Sequence, residues 1–225
     1  MDLSYKELHN QATQHNFNEV NSHQLLPQDI NTDPIFTNDN TNTINFYDLS
    51  QIQSLISVII SEIEKQNNTQ FFSDDFDFEF FYDQILEAIL SFEEDLIFFN
   101  SKLLLTLSYV SNTVFPYLAE HIEELIALFK EVPFNKYITI LFHTTLIKFP
   151  ATVHEALDHG ILGIFLHFLE ESSDSIDPVY INIISSTIQF ITLNQNIKKK
   201  EDVDICITII RRFLLLDIDE KSYSS

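Results

Sequence analysis

The sequence predicts an all-α fold in which helices stack side by side in repeating units. Three observations lead there. Glycine and proline number only 2 and 6 among 225 residues, whereas β-rich folds use both freely in turns. Apolar residues recur at helical spacing through most of the chain. Similar helical segments also return at nearly constant intervals. With 45% hydrophobic residues, the chain can bury one core of ordinary size.

Residues 1–47 are rich in Asn, Gln, Thr and Asp and show no helical or strand period. They read as a disordered Asn/Gln-rich tail, because such a segment buries too little apolar surface to offset its ordering entropy. Asp48 or Ser50 caps a helix to about Lys65, with Ile52, Leu55, Ile56, Ile59, Ile60 and Ile63 on one stripe. Residues 71–81, with Phe71, Phe72, Phe76, Phe78, Phe80 and Phe81 among acids, alternate briefly as a strand would. Asp74-Asp75 is nevertheless a good helix start, and Ile85, Leu86, Ile89 and Leu90 continue helically, so the second half reads as helix.

Proline punctuates the rest of the chain. One helix over 96–114 stops before Pro116, one over 117–131 stops before Pro133, and one over 135–149 stops at Pro150. A short helix at 151–158 ends at His159-Gly160. The run 161–170 is apolar almost all round and belongs deep in a stack. Asp177-Pro178 opens a helix to about Leu193, with proline at its favoured first position. A last helix spans 201–216, and 218–225 forms a second tail. The ordered domain is therefore 48–217.

The helices repeat. Phe115-Pro116 and Phe149-Pro150 lie 34 residues apart, with Lys102 and Lys136 at equivalent places before them. The segments beginning Ile85-Leu86, Ile122-Glu123 and Ile161-Leu162 start 37 and 39 residues apart. That period, with purely helical units, is the signature of an α-solenoid. The unit at 151–193 resembles the armadillo repeat. His159-Gly160-Ile161-Leu162-Gly163-Ile164-Phe165-Leu166 is similar to its turn and second helix, and 179–191 to its third. The units at 80–116 and 117–150 lack the glycine, so HEAT-like or irregular repeats are equally open there. The resemblance implies a right-handed α-solenoid of about three to four armadillo/HEAT-like repeats. It further implies a non-enzymatic scaffold or adaptor that holds an extended peptide along its third helices. The positions matching the family's peptide clamp are Thr144, Lys148, Ser185 and Gln189, and ordinary solvated positions are the alternative reading. The family's nuclear-import adaptors grip basic peptides with Trp and Asn. This chain has no Trp, and Lys148 would repel a basic ligand, so that reading is disfavoured.

Charge bounds the partners. The net charge is −22, from 34 acids and 12 bases, which disfavours nucleic acid and anionic membranes and either favours a protein partner with a basic segment or, the safer reading, simply keeps the chain solvated. Half of the bases follow residue 197, and charge balance within the chain accounts for them. No apolar run is long enough to span a bilayer. The N-terminal residues lack a signal-peptide pattern, and a single cysteine, Cys206, forms no internal disulfide. A cytoplasmic or nuclear location is expected.

Chemistry-bearing motifs are sparse. Two glycines cannot build a phosphate loop or a nucleophile elbow. His154 and His159 are five residues apart, whereas a zinc motif places its histidines four apart on one helical face. His121, His143 and His167 read as partly buried helix residues. No catalytic residue, metal or cofactor is expected. Residues 71–81 form either an acidic-aromatic docking segment or core packing under the first helices. The apolar helix 201–216 is an alternative docking surface, by which the chain would serve as a structural subunit of a larger complex.

Overall fold

The computed structural model describes residues 34–65, 70–131, 135–171, 178–194 and 199–222. Among them are eleven helices: α1 (Asn38–Thr41), α2 (Leu49–Glu64), α3 (Phe78–Ile89), α4 (Glu94–Leu107), α5 (Val114–Glu120), α6 (Ile122–Glu131), α7 (Lys136–Lys148), α8 (Thr152–Asp158), α9 (Ile161–Glu171), α10 (Pro178–Asn194) and α11 (Lys200–Ser222). The all-α expectation is met. No helix among the described residues is long and apolar enough to cross a membrane.

Local chemistry sets the starts. Asp48 accepts from the Ser50 and Gln51 amides at the head of α2, Asp77 from Phe80 at α3, and Asn135 from Tyr137 at α7. Each side chain satisfies a backbone donor that the first helical turn leaves open.

Packing then orders the helices. α2 packs on α4, α4 on α7, and α7 on α10, giving one continuous row. The shorter helices cover that row: α3 packs on α4, α5 and α6 on α7, and α6 also packs on α8 and α9. α11 packs on both α9 and α10. Burial follows from this order. Leu103, Leu104, Leu105 and Leu107 of α4 are buried, as are Tyr137, Ile138, Leu141, Phe142 and Leu146 of α7.

Two successive stretches share one pattern. α5 and α8 are each seven residues long. A bend follows each, at His121 (φ −110, ψ 31) in the first and at His159-Gly160 in the second, where Gly160 adopts φ +78. A medium helix and then a long one complete each set. Only the second bend needs a left-handed residue, which is why one has a glycine and the other does not.

Several sequence expectations are corrected. Residues 34–47 belong to the folded body instead of the disordered tail expected up to residue 47. Phe36 is 1% and Phe46 2% exposed, Thr37 and Asn40 form a reciprocal capping box around α1, and Phe36 bridges to Phe72 in parallel. Buried Asn100 of α4 donates to the Phe46 carbonyl at 3.0 Å. The expected helix over 96–114 ends at Leu107, because the chain turns through Ser108–Thr113 before Pro116 is reached. Pro116 sits inside α5, in the first turn, where no amide partner is lost. The expected helix over 117–131 is divided at His121. α11 continues to Ser222, past the boundary expected at 217. Residues 1–33 and 223–225 lie outside the described residues.

In the aromatic block at 71–81, Phe76 and Phe81 are core and Phe71, Phe72 and Phe78 pack against it, while Phe80 is exposed. Phe36 stacks on Phe72 at 5.1 Å, Phe72 meets Phe76 at 4.9 Å, Phe76 meets Phe81 at 5.3 Å, and Phe46 meets Phe81 at 5.5 Å. The acids between them stay at the surface.

Phe36 joins the segment 34–47 to this cluster, so Phe36→Ala should destabilise the protein by about 3–5 kcal/mol. Urea unfolding followed by circular dichroism reads the loss. A midpoint unchanged from the native chain would show that 34–47 contributes nothing to the fold.

Candidate functional site

Along the row α4–α7–α10, the exposed positions lie mainly on α10, with a few partly exposed residues at the ends of α4 and α7. On α7, Lys136 and Ile140 are partly exposed and Ile147 is exposed, while His143 between them is buried. α10 turns out Asn182, Ser185 and Gln189, ending at Leu193, which is 77% exposed. α4 contributes Phe98, Phe99 and Lys102, all half-buried, with exposed Tyr109 just beyond its end. The face is polar and aromatic, a composition suited to holding backbone and side chains together.

The four clamp positions read from the sequence divide. Ser185 and Gln189 lie on the open stripe of α10. Thr144 is buried, and its hydroxyl donates to the Ile140 carbonyl at 2.8 Å. Lys148 is exposed, but its Nζ sits 4.0 Å from the centre of the Phe115 ring, which holds the ammonium toward α5.

Two residues that the sequence marks only as equivalent places in the repeat become prominent. Lys102 of α4 and Lys136 at the head of α7 interact electrostatically, and burial first and the Lys136 charge second hold the Lys102 ammonium below its ordinary pKa. Neither makes an ion pair with a carboxylate among the described residues. Beside them Phe98 and Tyr137 meet edge to face at 5.1 Å, and Lys136 Nζ lies 5.0 Å from the Tyr137 ring centre. Among the described residues, two bases of a chain with almost three acids per base thus lie together with no carboxylate ion-paired to them. The sequence signal was faint, because nothing in it states that α4 and α7 lie side by side.

Behind this face, α7 and α10 are joined by one buried polar contact. His143 Nδ1 lies 2.8 Å from Thr187 Oγ1. The Thr187 hydroxyl gives its one proton to the Ile183 carbonyl at 2.7 Å. The ring therefore donates, and His143 is the Nδ1-protonated neutral tautomer. Burial pushes its pKa down to about 4.

Between α6 and α8, charged groups come together. His159 Nε2 lies 3.1 Å from Glu123 Oε1, and Glu155 joins them with all three ligand-type atoms within 4.8 Å of one another. His154 instead pairs with Asp158 at 3.4 Å, and Lys199 reaches Asp158 at 3.1 Å. His154 and His159 thus engage different partners. His121 rests on Tyr117 at 4.4 Å and His143 is in the core.

Compared with protein-family models, curated proteins and solved structures, the chain matches none. The geometry of these side chains is therefore what speaks for function.

His143 makes stability depend on pH. An unfolded imidazole titrates near 6.5 and the folded one at about 4. Between those values the unfolded chain takes up a proton that the folded chain refuses, so this contribution falls as pH drops, by up to roughly 1.4 kcal/mol per unit. Urea midpoints measured from pH 7 to pH 4.5 should fall more steeply for the native protein than for His143→Gln. Parallel curves would show that His143 is not the group responsible.

Proposed function

We propose that the protein is a non-enzymatic binding scaffold, an α-solenoid of armadillo-like units that holds an extended peptide along α4, α7 and α10. The observation behind this reading is the twice-repeated set of short helix, bend, medium helix and long helix, α5–α6–α7 followed by α8–α9–α10. Its long helices pack side by side, as the third helices of such repeats do. The reading does not depend on a Trp/Asn clamp. Gln189 and Ser185 offer amide and hydroxyl groups to a peptide backbone, and Phe98, Tyr109 and Ile147 offer apolar contact.

The lysine pair refines the partner. Lys102 and Lys136 favour a peptide with an acidic or phosphorylated residue at that point, and oppose a basic one. The net charge of −22 works against such a ligand at long range, so recognition is local and association slow.

A second reading rests on α11. Cys206 and Ile209 turn into the core, while Val203, Ile207 and Ile210 form an exposed stripe at i, i+4 and i+7. That stripe supports α11 as the docking surface of a subunit in a larger assembly. Light scattering at high concentration tests self-association through it.

Selection of displayed random peptides on the purified chain separates the readings. The scaffold reading expects acidic sequences, whose affinity falls at least about tenfold in Lys102→Glu and Lys136→Glu and also falls with added salt. Gln189→Ala should weaken binding severalfold. Selection of basic sequences, or affinities unmoved by all three substitutions, would overturn it.

A further inference from the structure

We propose that Glu123, Glu155 and His159 form a divalent transition-metal site that ties α6 to α8. These residues belong to α6 and α8 and not to the proposed peptide face on α4, α7 and α10, so the site stands whether or not that face binds a peptide.

The geometry is close to that of a coordinated ion. Zinc binds imidazole nitrogen and carboxylate oxygen at about 2.0–2.2 Å, so two donors on one ion stand roughly 3.0–3.5 Å apart. His159 Nε2 and Glu123 Oε1 are 3.1 Å apart. Glu155 lies four residues before His159, one turn back along α8. Its carboxylate is within 4.8 Å of the other two donors, a gap closed by rotation of its own side chain. Glu123 belongs to α6, Glu155 to α8, and His159 caps α8. The two helices are already packed together, so the backbone need not move.

The donor set selects the ion. One imidazole with two carboxylates suits Zn²⁺, Co²⁺ or Ni²⁺. Ca²⁺ requires six to eight oxygens and finds no such cage here. Two carboxylates neutralise a dication, and the strongly acidic chain concentrates cations around it. His159 and Glu123 are both partly exposed, so the ion is reached from solvent and keeps open positions for water. Asp158 is held apart by Lys199 and His154, which confines the set to three protein ligands.

The test uses the full chain, stripped by chelator, titrated with Co²⁺ by visible absorption and with Zn²⁺ by calorimetry, with Ca²⁺ as the control. The expected result is one equivalent of Co²⁺ displaced by Zn²⁺, and no Ca²⁺ binding at the same concentrations. His159→Gln and Glu155→Gln should each weaken Zn²⁺ at least about tenfold, while His154→Gln leaves it unchanged. The unfolding temperature should rise with Zn²⁺ in the native chain and in His154→Gln, but not in His159→Gln. Circular dichroism of each variant checks that it is folded. Absence of stoichiometric uptake by the native chain, equal binding of Ca²⁺, or undiminished Zn²⁺ binding by His159→Gln would each overturn the assignment.

Discussion

α4 and α7 are buried around most of their circumference, and the rest of the molecule is arranged to make that possible. A helix with apolar groups on nearly every side cannot rest on one neighbour. α7 meets α4, α5, α6 and α10, and Thr139, Thr144 and Thr145 within it return their hydroxyls to backbone carbonyls one turn back. These hydroxyls on its buried sides then ask for no water. The short helices exist because of this demand. Seven-residue helices such as α5 and α8 are far below the roughly 12–15 residues needed to persist alone. Neighbouring helices hold them in shape, α7 for α5, and α6 and α9 for α8.

The same demand explains the aromatic cluster. Around α2 and α3 the apolar cover comes from several separate segments. Phe36 and Phe46 come from before α2, Phe72 and Phe76 from before α3, and all converge on Phe81 or its immediate neighbours. Asn100 fastens this cover to α4 through the Phe46 carbonyl.

What could be read in the sequence was what the helical period encodes. The stripe Ile52, Ile56, Ile59 and the cap Asp48 state their roles locally, and the structure follows them. Three features had no local signal. His121 divides α5 from α6 by a backbone change that most residues can adopt. Pro116 is a stop signal in general, yet it is harmless in a first turn, and only the preceding loop determines which applies. Phe36 and Phe46 sit among Asn and Thr, and their partners lie more than thirty residues away, so composition outweighed them. The lysine pair Lys102 and Lys136 was hidden for the same reason: it depends on which helices are neighbours. Function is less legible again, since a helical framework admits many clients and only placed side chains discriminate among them.

The bond between His143 and Thr187 has a consequence for the alignment of helices along the row. α7 and α10 bury apolar surface, and apolar contact alone tolerates sliding. The imidazole N–H removes that tolerance. If α10 moved along α7 by a single residue, Thr187 would leave and a ring donor would be stranded in the interior, at about 1–3 kcal/mol. One alignment of the two helices is thereby chosen over its close competitors. Because the stripe bearing Ser185 and Gln189 is part of the same rigid helix, that choice also fixes where these side chains stand relative to Ile147 on the neighbouring helix. A hydrogen bond hidden in the interior thus sets the register of the outer surface.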